Sequence, residues 1–351
     1  MVSDKRGGDV LTRAAAALIA AACIALVACA ADAKPQPVIT SIFDPASPPA
    51  EEIFTLSMLV LGICAAIFVI VAGLTIYAII AFRRRADDDG IEPPQVYGSN
   101  PIELAWTMVP LLIVSVLFLV TTRTLLAVQK PPPFPPGTVN VTVIGHQWWW
   151  EFRYPDLGLV TANELHVPVS DPTDRRPTSL RLESVDVVHS FWIPQLNGKT
   201  DVIPNHVNTM WIEPMRTGTF LGQCAEYCGT QHAHMLLRVV VHSPSEFEQW
   251  VAEQRQAGPG GATPGRQAFQ SAACINCHRV GGTVADGVFG PDLTHLMSRA
   301  TIGAGVAPNT PETLRAWVTN PDQLKPGVLM PAMQLDDQTV DQIVAYLATL
   351  K

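Results

Sequence analysis

Residues 53–82 carry no charged side chain and run straight into Arg83-Arg84-Arg85. A stretch like that has few folds open to it. In hydrocarbon every backbone N–H and C=O must be satisfied within the structure, which leaves a helix or a closed barrel. About 20 apolar residues in helical form cross a bilayer, so 53–82 reads as a membrane-spanning helix. Arginine clusters favour the cytoplasmic side, so this span runs from outside to inside. A second apolar run at 104–122 returns the chain, and the two define a membrane hairpin over 53–128. Everything after about Gln129 then lies outside the cytoplasm. Composition agrees, with 48% apolar and only 15% charged residues. A net charge of −8 argues against nucleic acid as a partner and is compatible with a basic protein.

The front of the chain reads as a targeting segment over residues 1–28. Lys5, Arg6 and Arg13 form a basic start, and an apolar run with small residues at its end follows. Leu26-Val27-Ala28-Cys29 has the pattern of a bacterial lipobox, in which the cysteine is lipidated and becomes the mature N-terminus. The plainer alternative is cleavage at Ala31-Asp32-Ala33. Of the seven cysteines, Cys23, Cys29 and Cys64 lie in apolar N-terminal segments and four lie in two motifs further on. None remain for a disulfide framework.

Beyond the hairpin, PPPFPP at 131–136 is a stiff spacer. Val139, Val141 and Val143 then alternate with polar residues, and SLRLES and LLRVVVH repeat the pattern. Short alternating strands between Pro- and Gly-rich turns indicate an all-β sandwich or Greek-key barrel over 137–254. Ser243-Pro244-Ser245-Glu246 is a helix start with a capping box, and Phe247, Trp250 and Val251 form that helix's apolar face. A Gly- and Pro-rich linker at 255–264 leads to a last domain, 265–351.

The chemistry of the β domain sits in residues 222–235, GQCAEYCGTQHAHM. Cys224, Cys228, His232 and Met235 offer two thiolates, an imidazole and a thioether within a dozen positions. Structural zinc rarely uses Met, whereas electron-transfer copper sites combine Cys, His and a weak Met. Two thiolates are enough to bridge two metals, and His189 in DVVHSFWIP supplies a second imidazole. The competing reading is a Cys224–Cys228 disulfide with His232 and Met235 as bystanders.

The last domain carries Cys274-Ile275-Asn276-Cys277-His278. C-x-x-C-H is the signal for c-type haem, with two thioether links and the histidine as an iron ligand. A thioredoxin-like pair would need a βαβ context that is missing here. The sixth ligand comes from KPGVLMPAM, which offers Met330 and Met333. Met/His ligation raises a haem potential as cytochromes c require. Met330, followed by proline, is the expected ligand and Met333 the pocket neighbour.

These motifs carry resemblances. C-x-E-x-C-x-x-x-H-x-x-M, preceded by V-x-H-S-F-W-x-P and K-T-D-x-I-P, resembles the binuclear copper A site of cytochrome c oxidase subunit II over roughly residues 50–250. Residues 265–351, with Gly290-Pro291-Asp292-Leu293 and two amphipathic helices, resemble a class I cytochrome c. The resemblance implies a cupredoxin barrel and an all-α cytochrome fold behind a two-helix hairpin. It implies two copper ions on His189, Cys224, Cys228, His232, Met235 and the backbone carbonyl of Glu226, and one haem c on Cys274, Cys277, His278 and Met330. It also implies a magnesium shared with subunit I through the Glu226 carboxylate, which suits an ion that takes few protein carboxylates. Trp148, first of Trp148-Trp149-Trp150, takes the position where electrons reach the copper, although the family more often has tyrosine where Trp149 stands. Glu103, in IELAWTMVP, takes the position at the mouth of the proton path to the oxygen site. Taken alone, Glu103 reads as an interfacial charge.

The implied assembly is a haem–copper oxidase in a bacterial cytoplasmic membrane, with subunits I and III. Its donor is a bc1-type complex or a soluble cytochrome c. A nitrous oxide reductase shares the copper motif but needs many more than the nine histidines present. A copper carrier needs neither haem nor membrane spans, and quinol-oxidising relatives lack the copper ligands. The front of the chain yields a first test. Intact-mass analysis should find the mature N-terminus at Cys29 with added acyl mass; an unacylated start elsewhere rules the lipobox out.

Overall fold

The computed structural model of the chain describes residues 41–83, 95, 97–171, 173, 175–258 and 261–351. The targeting segment at 1–28, Cys29, Arg84 and Arg85 lie outside the described residues. Two long helices come first, α1 (Pro48–Ala81) and α2 (Asn100–Gln129). Each exceeds its charge-free run. Pro48 needs no N–H partner in a first turn, and Glu51 is favourable at a helix N-terminus, so α1 starts ahead of residue 53. The apolar windows of both helices are unburied within the chain, as spans facing lipid or neighbouring helices require.

The strands that follow are β1 (Asn140–His146), β2 (Trp149–Tyr154), β3 (Leu159–Ala162), β4 (Glu164–Pro168), β5 (Thr178–Ser184), β6 (His189–Trp192), β7 (Thr200–Val202), β8 (Asn208–Ile212), β9 (Gly218–Cys224) and β10 (Leu236–His242). They form two five-stranded sheets, ordered β3-β2-β1-β5-β8 and β4-β10-β9-β6-β7. The pairs β1–β5 and β10–β4 are parallel and the others antiparallel. This is a cupredoxin-like Greek-key sandwich.

Period-two patterning puts Val141 and Val143, then Trp150, Phe152 and Tyr154, then Leu237, Val239 and Val241 into the space between the sheets. Those side chains are sealed from water, and burial of each is worth about 1.5–3 kcal/mol relative to exposure. The sandwich is tied to the hairpin at both ends. Ala46 N–H donates to the Gln195 carbonyl at 2.8 Å, and Trp211 Nε1–H donates to the Val128 carbonyl at 2.8 Å. Helix α3 (Pro244–Gln254) begins with the expected capping box at Ser243 and Glu246. It packs Phe247, Trp250 and Val251 on the core.

The C-terminal domain is built from α4 (Pro264–Ser271), α5 (Pro311–Thr319), α6 (Pro321–Leu324) and α7 (Asp337–Leu347). Phe269, Leu314, Val318, Val340, Ile343 and Leu347 share its core. The helices α4 and α7 meet at Gly265, where a Cβ would lie 2.1 Å from the Gln342 carbonyl oxygen and 2.8 Å from Tyr346 Cβ. Gly265→Ala should therefore force the two helices apart. We expect a loss of about 1–3 kcal/mol in urea unfolding followed at the haem absorption, and an unchanged midpoint would contradict this packing.

Candidate functional site

Strand β9 delivers Cys224 and β10 begins just after Met235, with a loop between them. The Cys224 N–H donates to the Met235 carbonyl at 3.0 Å and closes that loop on itself. As a result the soft donors face one another. The two sulfurs, Cys224 Sγ and Cys228 Sγ, are 3.8 Å apart. That is well beyond the roughly 2.05 Å of a disulfide, and both cysteines are free. His189 Nδ1 lies 3.9 Å from Cys224 Sγ, His232 Nδ1 lies 3.7 Å from Cys228 Sγ, and Met235 Sδ lies 3.9 Å from Cys228 Sγ. The Glu226 carbonyl oxygen is 3.1 Å from Cys224 Sγ. His189 arrives from β6, whose Phe191 pairs with Cys224. Its ring fits because Gly145 has no side chain; a Cβ there would sit 2.7 Å from His189 Cδ2. Among the described residues, His189, Cys224 and Cys228 are the one cluster whose ligand atoms all fall within 4.8 Å of one another.

Electrostatics prepare these groups for a metal. The hydrogen bond between the two sulfurs lowers the Cys224 thiol and raises Cys228, so one of the pair gives up its proton readily. Burial alone would lower His189, but hydrogen bonds to Asp186 and Cys224 outweigh it and raise its pKa. Asp186 Oδ1 lies 2.8 Å from His189 Nε2, which leaves Nδ1 as the ligand atom. The donor set of two thiolates, two imidazoles, a thioether and a carbonyl fits a copper pair.

In the C-terminal domain, a short turn (Cys274–Asn276) carries Cys274 and is capped by Cys277. His278 Nδ1 is 2.8 Å from the Pro291 carbonyl oxygen, so it carries the proton and leaves Nε2 free. Burial holds the His278 pKa down, which keeps the ring neutral as an iron ligand must be. A cavity of about 570 Å³ opens beside it, lined by Cys274, Cys277, His278, Met330 and Met333. These residues fit a haem attached through both thiols. Both methionines reach the cavity, so the shape of the pocket alone does not choose between them.

The same cavity is walled on its other side by Trp148, Trp149 and Arg153 of the sandwich. The three tryptophans divide their work. Trp150 is fully buried between the sheets, and Trp149 stacks on His146 at 4.0 Å. Trp148 lines the cavity and donates from Nε1 to the Cys228 carbonyl at 3.0 Å. Gln147 Nε2 donates to that same oxygen at 2.7 Å.

Glu226 is exposed. Glu103 sits in the first turn of α2 and accepts the Ser99 N–H at 3.2 Å. Several histidines outside the ligand set have ordinary partners. His166 and His242 bond each other at 2.8 Å, and His146 bonds Glu151 at 2.9 Å. Sequence reasoning missed Asp186, Gln147 and Pro291. Asp186, three residues ahead of His189, was the findable one, because a metal-bound histidine needs a partner on its other nitrogen.

Comparisons with known proteins agree on all three parts of the chain. Residues 35–123 match the transmembrane domain of cytochrome c oxidase subunit II, 159–243 match its periplasmic domain, and 262–351 match cytochrome c. Cytochrome c oxidase subunit 2 of Alkalihalophilus pseudofirmus is 35% identical, over 88% of this chain and 90% of that protein. The Bacillus subtilis protein of the same name is 33% identical, over 78% and 82% respectively. The Asp186 contact makes a prediction. Asp186→Ala should weaken copper binding by roughly 10–100-fold in chelator competition and leave the haem spectrum unchanged; undiminished affinity would mean that His189 needs no orienting acid.

Proposed function

This chain belongs to the cytochrome c oxidase subunit II family, and we propose that it is the electron-receiving subunit of a haem–copper terminal oxidase, taking electrons at a covalent haem c and delivering them through a binuclear copper A centre to subunit I. There oxygen is reduced to water with proton pumping. The observation that carries this reading is the double role of Trp148. Its ring lines the cavity that holds Cys274, Cys277, His278 and Met330, and its Nε1–H is bonded to the carbonyl of Cys228. When bound, the haem and the copper pair supply reversible one-electron chemistry that no side chain offers.

The residues of the chain bind, orient and shield. Cys274 and Cys277 would attach the haem, and His278 and Met330 would ligate its iron. Pro291 fixes the His278 ring, so its ligand atom is set before binding. Cys224 and Cys228, with His189, His232, Met235 and the Glu226 carbonyl, would hold two coppers. Burial of Cys224, Cys228 and Met235 excludes water and limits how far the ligands move when charge changes. Trp148 lines the haem cavity and is bonded to the carbonyl of a copper-site cysteine.

Two further roles belong to the assembled oxidase. The exposed Glu226 carboxylate would supply an oxygen ligand to a magnesium shared with subunit I. Glu103 stands at the end of α2 that follows the arginine cluster, the cytoplasmic end, and opens a proton path toward the oxygen site. The sandwich and the cytochrome domain lie on the periplasmic or outer side of a bacterial cytoplasmic membrane, with subunits I and III alongside. A bc1-type complex or a soluble cytochrome c supplies the electrons.

Two substitutions test the ligand assignments. Cys224→Ser should abolish the mixed-valence copper signal and leave the haem spectrum intact; normal copper content and signal in that variant would overturn the assignment. Met330→Leu should lower the haem potential and remove the thioether–iron charge-transfer band. If Met333→Leu does so instead, Met333 is the ligand.

A further inference from the structure

The cytochrome domain is held against the copper domain by Lys325, which is a ligand in neither site although it borders the haem cavity. Lys325 is 1% exposed. Its Nζ donates to the carbonyls of Trp148 at 2.8 Å, His234 at 2.9 Å and Gly303 at 2.9 Å. An ammonium has three donors, and all three are used. Trp148 and His234 belong to the copper domain and Gly303 to the cytochrome domain, so one cation closes the boundary from both sides.

The three anchor points are chemically placed. Lys325 lies in the loop that carries Met330. His234 precedes Met235, and Trp148 reaches the Cys228 carbonyl through its ring. Flanking bonds share the same boundary. The Leu236 N–H donates to the Ala304 carbonyl at 3.1 Å, and the Ala300 N–H donates to Glu164 Oε1 at 2.8 Å. Arg238 Nη1 donates to Thr301 Oγ1 at 2.6 Å, and Gln231 donates to the Pro326 carbonyl. Carbonyl dipoles compensate a buried ammonium only when their geometry is right. Lys325 is therefore a demanding contact that is complete in one arrangement of the domains.

We propose that Lys325 is a positioning residue, a clasp that docks the cytochrome domain on the copper domain in a single electron-transfer pose by binding the Trp148, His234 and Gly303 carbonyls together. The proposal rests on the reading that electrons pass within this chain, but its first test does not.

In that test the intact purified oxidase is treated with an amine-acylating reagent near pH 8 and labelling is read by peptide mass spectrometry. Lys325 is sealed behind three carbonyls, so acylation needs the docked boundary to open. Lys325 should label at least tenfold more slowly than the exposed Lys351 of the same domain. Equal labelling of the two would overturn the clasp whatever the electron path is.

The second test is kinetic. Lys325→Met keeps the length of the side chain and removes its donors. Haem-to-copper transfer should slow at least tenfold and become dependent on solvent viscosity, because the domain must then search for its pose. Both optical spectra and direct reduction of the copper by a small reductant should stay unchanged. If this variant fails to assemble, Arg238→Met loosens the same boundary from the copper side and should introduce the same viscosity dependence. Transfer that stays fast and independent of viscosity in the assembled variant would overturn the proposal.

Discussion

The hydrogen bond from Trp148 Nε1 to the Cys228 carbonyl, 3.0 Å long, ties the loop of soft donors to a tryptophan that also lines the cavity of the C-terminal domain. Each part is locally complete without it. The copper loop is closed by its own backbone bond and by His189 and Asp186. The haem turn is closed by His278 and Pro291. Trp148 adds contact between them, because one face of its environment is the haem cavity and its ring nitrogen ends on a copper-ligand residue. The sandwich makes this arrangement rigid. Trp148 sits at the turn between β1 and β2, directly beside the buried Trp150, so it cannot drift without disturbing the core.

Much of this was legible in the residues. Cys224, Cys228, His232 and Met235 lie on one loop, and Cys274, Cys277 and His278 on one turn, so spacing alone revealed their chemistry. The strands were legible because alternation at Val141 and Val143, or at Leu237, Val239 and Val241, is a local signal. The hairpin was legible from its absence of charge, although the helix ends were not. Caps such as Pro48 carry a helix past its apolar run.

The docking of the two outer domains was not legible, and the reason is physical. Lys325 meets Trp148 across 177 positions of sequence, and it meets a backbone carbonyl, which every residue has. No pattern of side chains announces such a contact. The glycine-rich linker suggested independent domains, yet the bonds from residues 300–304 to Glu164, Leu236 and Arg238 set them edge to edge. Choosing between Met330 and Met333 met a similar limit, since both reach one cavity.

A docked donor has a kinetic signature that separates it from a diffusing one. A tether alone gives an effective concentration of about millimolar, and a docked pose removes the search as well. Encounters between free proteins are steered by charge, which salt screens over about 10 Å at 0.1 M. The direct measurement is flash reduction of the haem in the intact oxidase, followed at the copper absorption across a range of protein and salt concentrations. The present account predicts first-order transfer, unchanged by dilution and nearly unchanged by salt. A rate that rises with protein concentration, or falls steeply with added salt, would mean that the Cys274–Cys277 haem serves another partner and is not the copper's own donor.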